Sequence, residues 1–109
     1  MFGEMLQNVR KKRPLIHSIT NFVTVNDCAN ILLACGASPI MADDEREAAE
    51  ITSASDGLCI NIGTLSSRTI PSMLAAGKKA NELCHPVVLD PVGVGASQFR
   101  TDTAFKLLN

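Results

Sequence analysis

The chain has 109 residues, the length of one small domain with a single core. Its 46% hydrophobic and 19% charged residues exclude a disordered tail. A net charge of −1, from 10 Lys and Arg against 11 Asp and Glu, removes any long-range pull toward nucleic acid or anionic lipid. With no Trp and no Tyr, surfaces that stack bases or grip peptides by large aromatic anchors are disfavoured, while the four Phe remain available to a core.

The longest apolar run, Ile31 to Cys35 with Gly36 and Ala37 behind it, is far short of the roughly 20 residues that cross a bilayer, so no membrane partner is expected. The basic run Arg10-Lys11-Lys12-Arg13 leads into Pro14 and the short Leu15-Ile16, where a secretory signal would have its apolar segment; it reads as a solvated helix end. Cys28, Cys35, Cys59 and Cys84 form no C-x-x-C pair and sit in apolar segments, the pattern of core thiols in a reducing compartment. Cytoplasm is the expected location.

Short β-branched runs alternate with segments of helical period, which predicts βαβ units, a mostly parallel sheet and an α/β fold. Residues 1–13 suit a helix and Leu15 to Thr20 a first strand. Val25, Cys28, Ala29 and Leu32 recur at helical spacing, with Thr24 and Asp27 placed for a capping box and Gly36 for the stop. Ser38 to Met41 is a second strand, and a charged helix is predicted over 44–54, where Glu45, Arg46, Glu47 and Glu50 form an exposed face. Asp43, Asp44 and Glu45 read as acids opening that helix rather than as a cation site.

Leu58 to Ile62 is nearly all apolar, as a strand covered on both faces should be, and ends at Gly63-Thr64. A helix over 69–84 places Pro71 in its first turn, where the missing N–H costs nothing. Pro86 to Asp90 is the clearest strand; it runs into the glycine turn Pro91 to Gly95, and a short helix is predicted to open at Thr103. That last helix has neither a C-cap nor a following strand to pack on, so the chain is expected to be part of a longer protein.

In an open parallel sheet, ligands bind beyond the carboxyl ends of the strands. Those ends carry Thr20-Asn21, then Met41-Ala42-Asp43, then Asn61, Gly63 and Thr64, and finally Asp90, Gly93 and Gly95, a pocket-like gathering of small residues, amides and one carboxylate. Asp90 beside a glycine turn can hold Mg²⁺ against nucleotide phosphates; Asp before Pro is also a common turn former. Gly93-Val94-Gly95 lacks the further residues of a phosphate loop. Asn21 can donate and accept toward a heterocycle, though an Asn behind a strand more often closes a turn. Met41 offers a backbone N–H and an adaptable apolar wall, or ordinary core. His17, inside the first strand, reads as a buried, hydrogen-bonded imidazole, and His85 lies at the opposite end of the sheet. Neither is assigned as a general base, and the cysteine spacing suits packing better than zinc.

Five blocks, in order and at matching intervals, closely resemble the hydroxyethylthiazole kinase family. They are residues 14–21 (PLIHSITN), 26–30 (NDCAN), 36–42 (GASPIMA), 61–65 (NIGTL) and 88–96 (VLDPVGVGA). The resemblance spans about Pro14 to Thr101. It implies a ribokinase-like fold, a homotrimer with active sites between subunits, and ATP- and Mg²⁺-dependent phosphorylation of 4-methyl-5-(2-hydroxyethyl)thiazole in thiamine biosynthesis and salvage. It further implies that Met41 meets the substrate through its backbone amide, that Asn21, Val23 and Gly63 line the thiazole pocket, and that Asp90 lies near Mg²⁺ and the phosphates.

Length is the departure. Members of the family run to more than twice this size, so residues 1–109 are expected to be the amino-terminal part of one ribokinase-like domain. The resemblance assigns the ATP contacts, an Arg and a Thr, and a glycine-rich anion hole with its neighbouring Cys to the remaining part. The 109 residues are therefore expected to hold no catalytic group and to be inactive alone. Strand edges and helix faces left uncovered would make them poorly soluble. The rival readings are a non-catalytic α/β module that binds a small heterocycle or docks on a partner, and a ribokinase-like kinase acting on a pyrimidine alcohol.

Overall fold

A computed structural model describes all residues from Met1 to Asn109. The elements run α1 (Phe2–Lys12), β1 (Leu15–Ile19), α2 (Val25–Cys35), β2 (Ser38–Met41), α3 (Ala48–Ala54), β3 (Gly57–Asn61), α4 (Ile70–Glu82), β4 (Val87–Asp90) and α5 (Gln98–Leu108). The four strands form one parallel sheet in the order β2-β1-β3-β4. All four carboxyl ends thus lie on one side, as the βα alternation predicts.

The register sorts the side chains. His17 pairs with Leu58 and Ile19 with Ile60, so these four share one face, because successive residues of a strand point to opposite sides. That face meets Ala48 of α3, Met73, Ala76 and Ala80 of α4, and Ala104 of α5 to make the core. Small alanines on the helices let the backbones approach the sheet closely. On the other face Ser18 pairs with Cys59 and with Met41, and Cys28 of α2 brings its Sγ within 3.8 Å of Thr20 Oγ1.

Helix boundaries depart from the sequence reading where local hydrogen bonds outcompete period. Thr24 precedes α2 without capping it through its side chain; instead Asn21 Oδ1 accepts from the Thr24 N–H at 2.9 Å and from its hydroxyl at 3.0 Å. Helix α3 begins at Ala48 rather than at Asp44, since Asp44 accepts from the Arg46 backbone and guanidinium and closes a separate turn. Helix α5 begins at Gln98, five residues ahead of expectation, with Ser97 as a true N-cap accepting from the Arg100 N–H. Helix α2 stops as expected at Gly36, whose φ of 97° is left-handed and whose missing Cβ leaves room for Arg10 of α1.

None of the four Phe serves the core: Phe2, Phe22, Phe99 and Phe105 are all exposed; and Cys84, expected in the core, is exposed as well. The buried volume is filled by Ile, Leu, Met and Ala instead. Leu58, 2% exposed at the centre of that face, is the most telling residue to remove. Leu58→Ala should lower the unfolding free energy by about 2–5 kcal/mol through lost burial and a residual cavity, read from the midpoint shift in urea.

Candidate functional site

At the carboxyl ends of β1 and β2 a cleft of about 140 Å³ is lined by Thr20, Asn21, Phe22, Val25, Met41 and Asp43, among others. Pockets for drug-sized ligands run from about 300 to 1,000 Å³, so this hollow suits a smaller molecule. A larger apolar groove of about 630 Å³ lies between β4, α4 and α5, toward the amino end of β4. It carries none of the strand-end amides or carboxylates.

The floor of the cleft is held from below. The His17 ring is fully buried between two partners: one nitrogen meets Thr52 Oγ1 at 2.7 Å and the other the Ala42 carbonyl at 2.7 Å. Since a carbonyl only accepts, Nε2 carries the proton and Nδ1 accepts from the Thr52 hydroxyl. The next residue, Asp43, is pinned twice more, by Ser72 Oγ donating to its carbonyl at 2.7 Å and by Arg68 donating to its carboxylate at 2.9 Å. Three elements thus fix the segment that follows Met41. The acids here are engaged by arginines, Asp43 by Arg68 and Asp44 by Arg46; the Arg46 hydrogen bonds hold the Asp44 carboxyl well below its usual range. They neither open α3 nor stand free as a cation site.

A second set of contacts runs across the strand ends. Asn21 Nδ2 donates to Asn61 Oδ1 at 3.0 Å, the Gly63 N–H donates to the same oxygen at 2.8 Å, and Asn61 Nδ2 donates to Asp90 Oδ2 at 2.9 Å. The turn reading of Asn21 is correct for its oxygen, which serves Thr24; its NH₂ makes one hydrogen bond, to Asn61, and has a second N–H to offer, on a side chain that lines the cleft. Asp90 keeps a second oxygen unengaged and is exposed. Behind it, Arg100 donates to the carbonyls of Ile62 and Val92, at 3.0 and 2.8 Å, and lies against Gly93, whose φ of 75° is one that residues with a side chain rarely adopt.

Of the residues singled out from sequence, Asn21 and Met41 therefore share the cleft, Gly63 touches Asn21, and Asp90 is joined to both through Asn61. Val23 stands apart, 81% exposed and outside the hollow. Asn61 carried no separate role in the sequence reading. Its signal was its place as the last residue of β3, in register with Asp90. His85 lies far from the cleft, and burial pushes the Cys59 thiol up, the condition of an inert packing thiol.

The family model described as "Hydroxyethylthiazole kinase family" matches residues 6–109. The chain belongs to that family. It is 71% identical over 108 residues to the hydroxyethylthiazole kinase of Clostridium acetobutylicum, covering 99% of this chain and 40% of that protein. It is 69% identical to that of Clostridium beijerinckii, covering 97% of this chain and 38% of the relative. A solved structure of the hydroxyethylthiazole kinase protein from Pyrococcus horikoshii OT3 superimposes with a TM-score of 0.93 at 53% identity, over 96% of this chain and 41% of that one. The chain thus spans about two fifths of the length of these family members, and its four-stranded parallel sheet with its flanking helices superimposes on the corresponding part of the solved structure.

The buried ring yields a pH test. Burial lowers the His17 pKa from its ordinary value of 6.5, outweighing the opposing effects of the Ala42 carbonyl and Glu47. The unfolded chain then binds the proton more readily, so the ring's contribution is complete above about pH 6.5 and is lost as pH falls toward the depressed folded value. Thermal midpoints measured from pH 8 to 5.5 should fall through that window. The fall should be shallower in His17→Gln, which keeps polar partners but does not titrate.

Proposed function

We propose that this chain supplies the thiazole side of a kinase that transfers the γ-phosphoryl group of ATP to the primary alcohol of 4-methyl-5-(2-hydroxyethyl)thiazole, in thiamine biosynthesis and salvage. The observation that carries the reading is the convergence of Asn21 and Met41 on one small cleft, with Asp90, a carboxylate that keeps one oxygen unengaged, joined to Asn21 through Asn61. In this reading the open N–H of Asn21 and the backbone N–H of Met41 orient the heterocycle, and Val25 and the Met41 side chain give its apolar wall. Gly63 shapes the wall by what it lacks. The work of these residues is positioning, which converts an encounter of alcohol and phosphate into an aligned one.

No group of three or more His, Cys, Asp or Glu is assembled in the chain, so it has no cage of its own for a cation. An exposed strand-end carboxylate with one oxygen free fits the narrower task of meeting Mg²⁺ that arrives with a nucleotide, since that ion takes one or two carboxylates together with phosphates and water. Asp90 is the residue that would hold it. Mg²⁺ supplies positive charge against the charge on the transferring group.

The same reading makes residues 1–109 part of one ribokinase-like domain that acts in the cytoplasm as a homotrimer. Support comes from apolar surface: the groove between β4, α4 and α5, and Phe22, Val23, Ile31 and Leu33, all more than half exposed on the side of α2. Val23, exposed outside the cleft, is part of this apolar surface. ATP contacts lie in the part of family members that this chain does not span.

A fusion of residues 1–109 to the remaining three fifths of the Clostridium acetobutylicum relative tests the proposal. The fusion should phosphorylate the thiazole alcohol with ATP in preference to a pyrimidine alcohol, and Asp90→Asn should lower kcat by about 10²-fold, the scale of one lost charge-stabilising group. The 109 residues alone should release no thiazole phosphate. Absence of transfer by a folded fusion would favour a binding module, and turnover by the isolated chain would overturn its dependence on the remaining part.

A further inference from the structure

We infer that Asn61 is a positioning residue that fixes both the Asn21 amide in the cleft and the Asp90 carboxylate on the rim, through one chain of hydrogen bonds whose direction the backbone dictates. The functional half of this inference rests on the kinase reading above; the geometric half does not.

The direction follows from two backbone donors. The Gly63 N–H points at one end of the Asn61 amide, at 2.8 Å, which must therefore be the oxygen. The other end of Asn61 is then NH₂, and it faces Asp90 Oδ2, which as a carboxylate only accepts. Likewise the Thr24 N–H, at 2.9 Å, identifies the oxygen of Asn21, so the Asn21 NH₂ turns to Asn61 Oδ1. Each amide has one orientation that satisfies its neighbours. Flipping either would set NH₂ against N–H.

Gly63 belongs to this arrangement. A Cβ there would lie 2.9 Å from Asn21 Nδ2, 2.9 Å from Asn61 Oδ1 and 3.0 Å from Asn21 Cβ, distances that side-chain carbons do not adopt. The glycine keeps the space in which the two asparagines meet. The resemblance places Gly63 in the pocket lining; its geometry makes it the seat of the asparagine pair.

Asn61 is suited to the task because it is neutral and two-ended. As the last residue of β3, in register with Asp90, it reaches Asn21 beyond β1 on one side and β4 on the other. It restrains one oxygen of Asp90 without neutralising the carboxylate, leaving the second oxygen for a cation. An Arg or Lys in its place would hold the carboxylate by consuming its charge.

The two ends can be separated by substitution in the fusion protein. Asn61→Ala removes both contacts: kcat should fall tenfold or more, and the KM for the thiazole alcohol should rise roughly three- to tenfold, the scale of one released hydrogen bond. Asn61→Asp keeps an acceptor for Asn21 and Gly63 but sets a carboxylate against Asp90, so kcat should fall with thiazole KM close to parental. Combining Asn61→Asp with Asp90→Asn restores donor to acceptor with the direction reversed; thermal stability should recover and KM should stay close to parental while kcat does not recover, because the charge has moved from position 90 to position 61. Parental kcat and KM in Asn61→Ala would overturn the inference while leaving the kinase reading intact, as would equal KM effects from Asn61→Ala and Asn61→Asp. If the parental fusion has no activity the kinase reading fails. The geometric half is then decided by urea unfolding of the 109-residue chain, where the reversed pair must be more stable than Asn61→Asp alone.

Discussion

The two hydrogen bonds of the His17 ring are the point on which the strand-end surface depends. A buried imidazole without partners would be costly, and this one finds Thr52 on α3 and the Ala42 carbonyl just past β2. Through it, a helix on one face of the sheet fixes the exit of the strand that precedes it in the chain, and Ser72 and Arg68 complete the hold at Asp43. Met41 therefore stands in the cleft on a backbone with little freedom. Sites that act by orientation need this kind of support, because a small displacement of a binding group lowers alignment more than it lowers contact.

A different kind of constraint governs the rim. At the carboxyl ends of β1, β3 and β4 polar side chains satisfy one another: Asn21, Asn61 and Asp90 join end to end. The loop after β4 is steadied by Arg100, which reaches back from α5 to two carbonyls. Cleft and rim are thus separately supported, one from the core and one from the surface, and they meet at Asn21.

Much of this was legible in the residues. The alternation of β-branched runs with helical period located all four strands to within a residue or two, because a parallel sheet covered on its faces leaves an apolar signature that loops do not share. His17 was readable as a satisfied core histidine. The helix starts were less legible: Asp44 and Thr24 both look like caps, yet each made a better bond elsewhere, to Arg46 and to Asn21, which period alone does not reveal. The exposure of all four Phe was not foreseeable from composition, since composition does not say which apolar residues stay at the surface rather than in a core. The strand-end rule brought Asn21, Met41, Asn61, Gly63 and Asp90 to one edge, but the role of Asn61 in joining Asn21, Gly63 and Asp90 needed coordinates, because a linking amide has no motif.

The closeness of Gly63 to two asparagine side chains also bears on how the sequence can drift. A methyl group at 63 has room only if position 21 or 61 shortens first, so these three sites are not free to vary independently. Across distant relatives, a larger residue aligned with Gly63 should travel with a smaller one at 21 or 61, and intermediates carrying only one of the changes should be scarce.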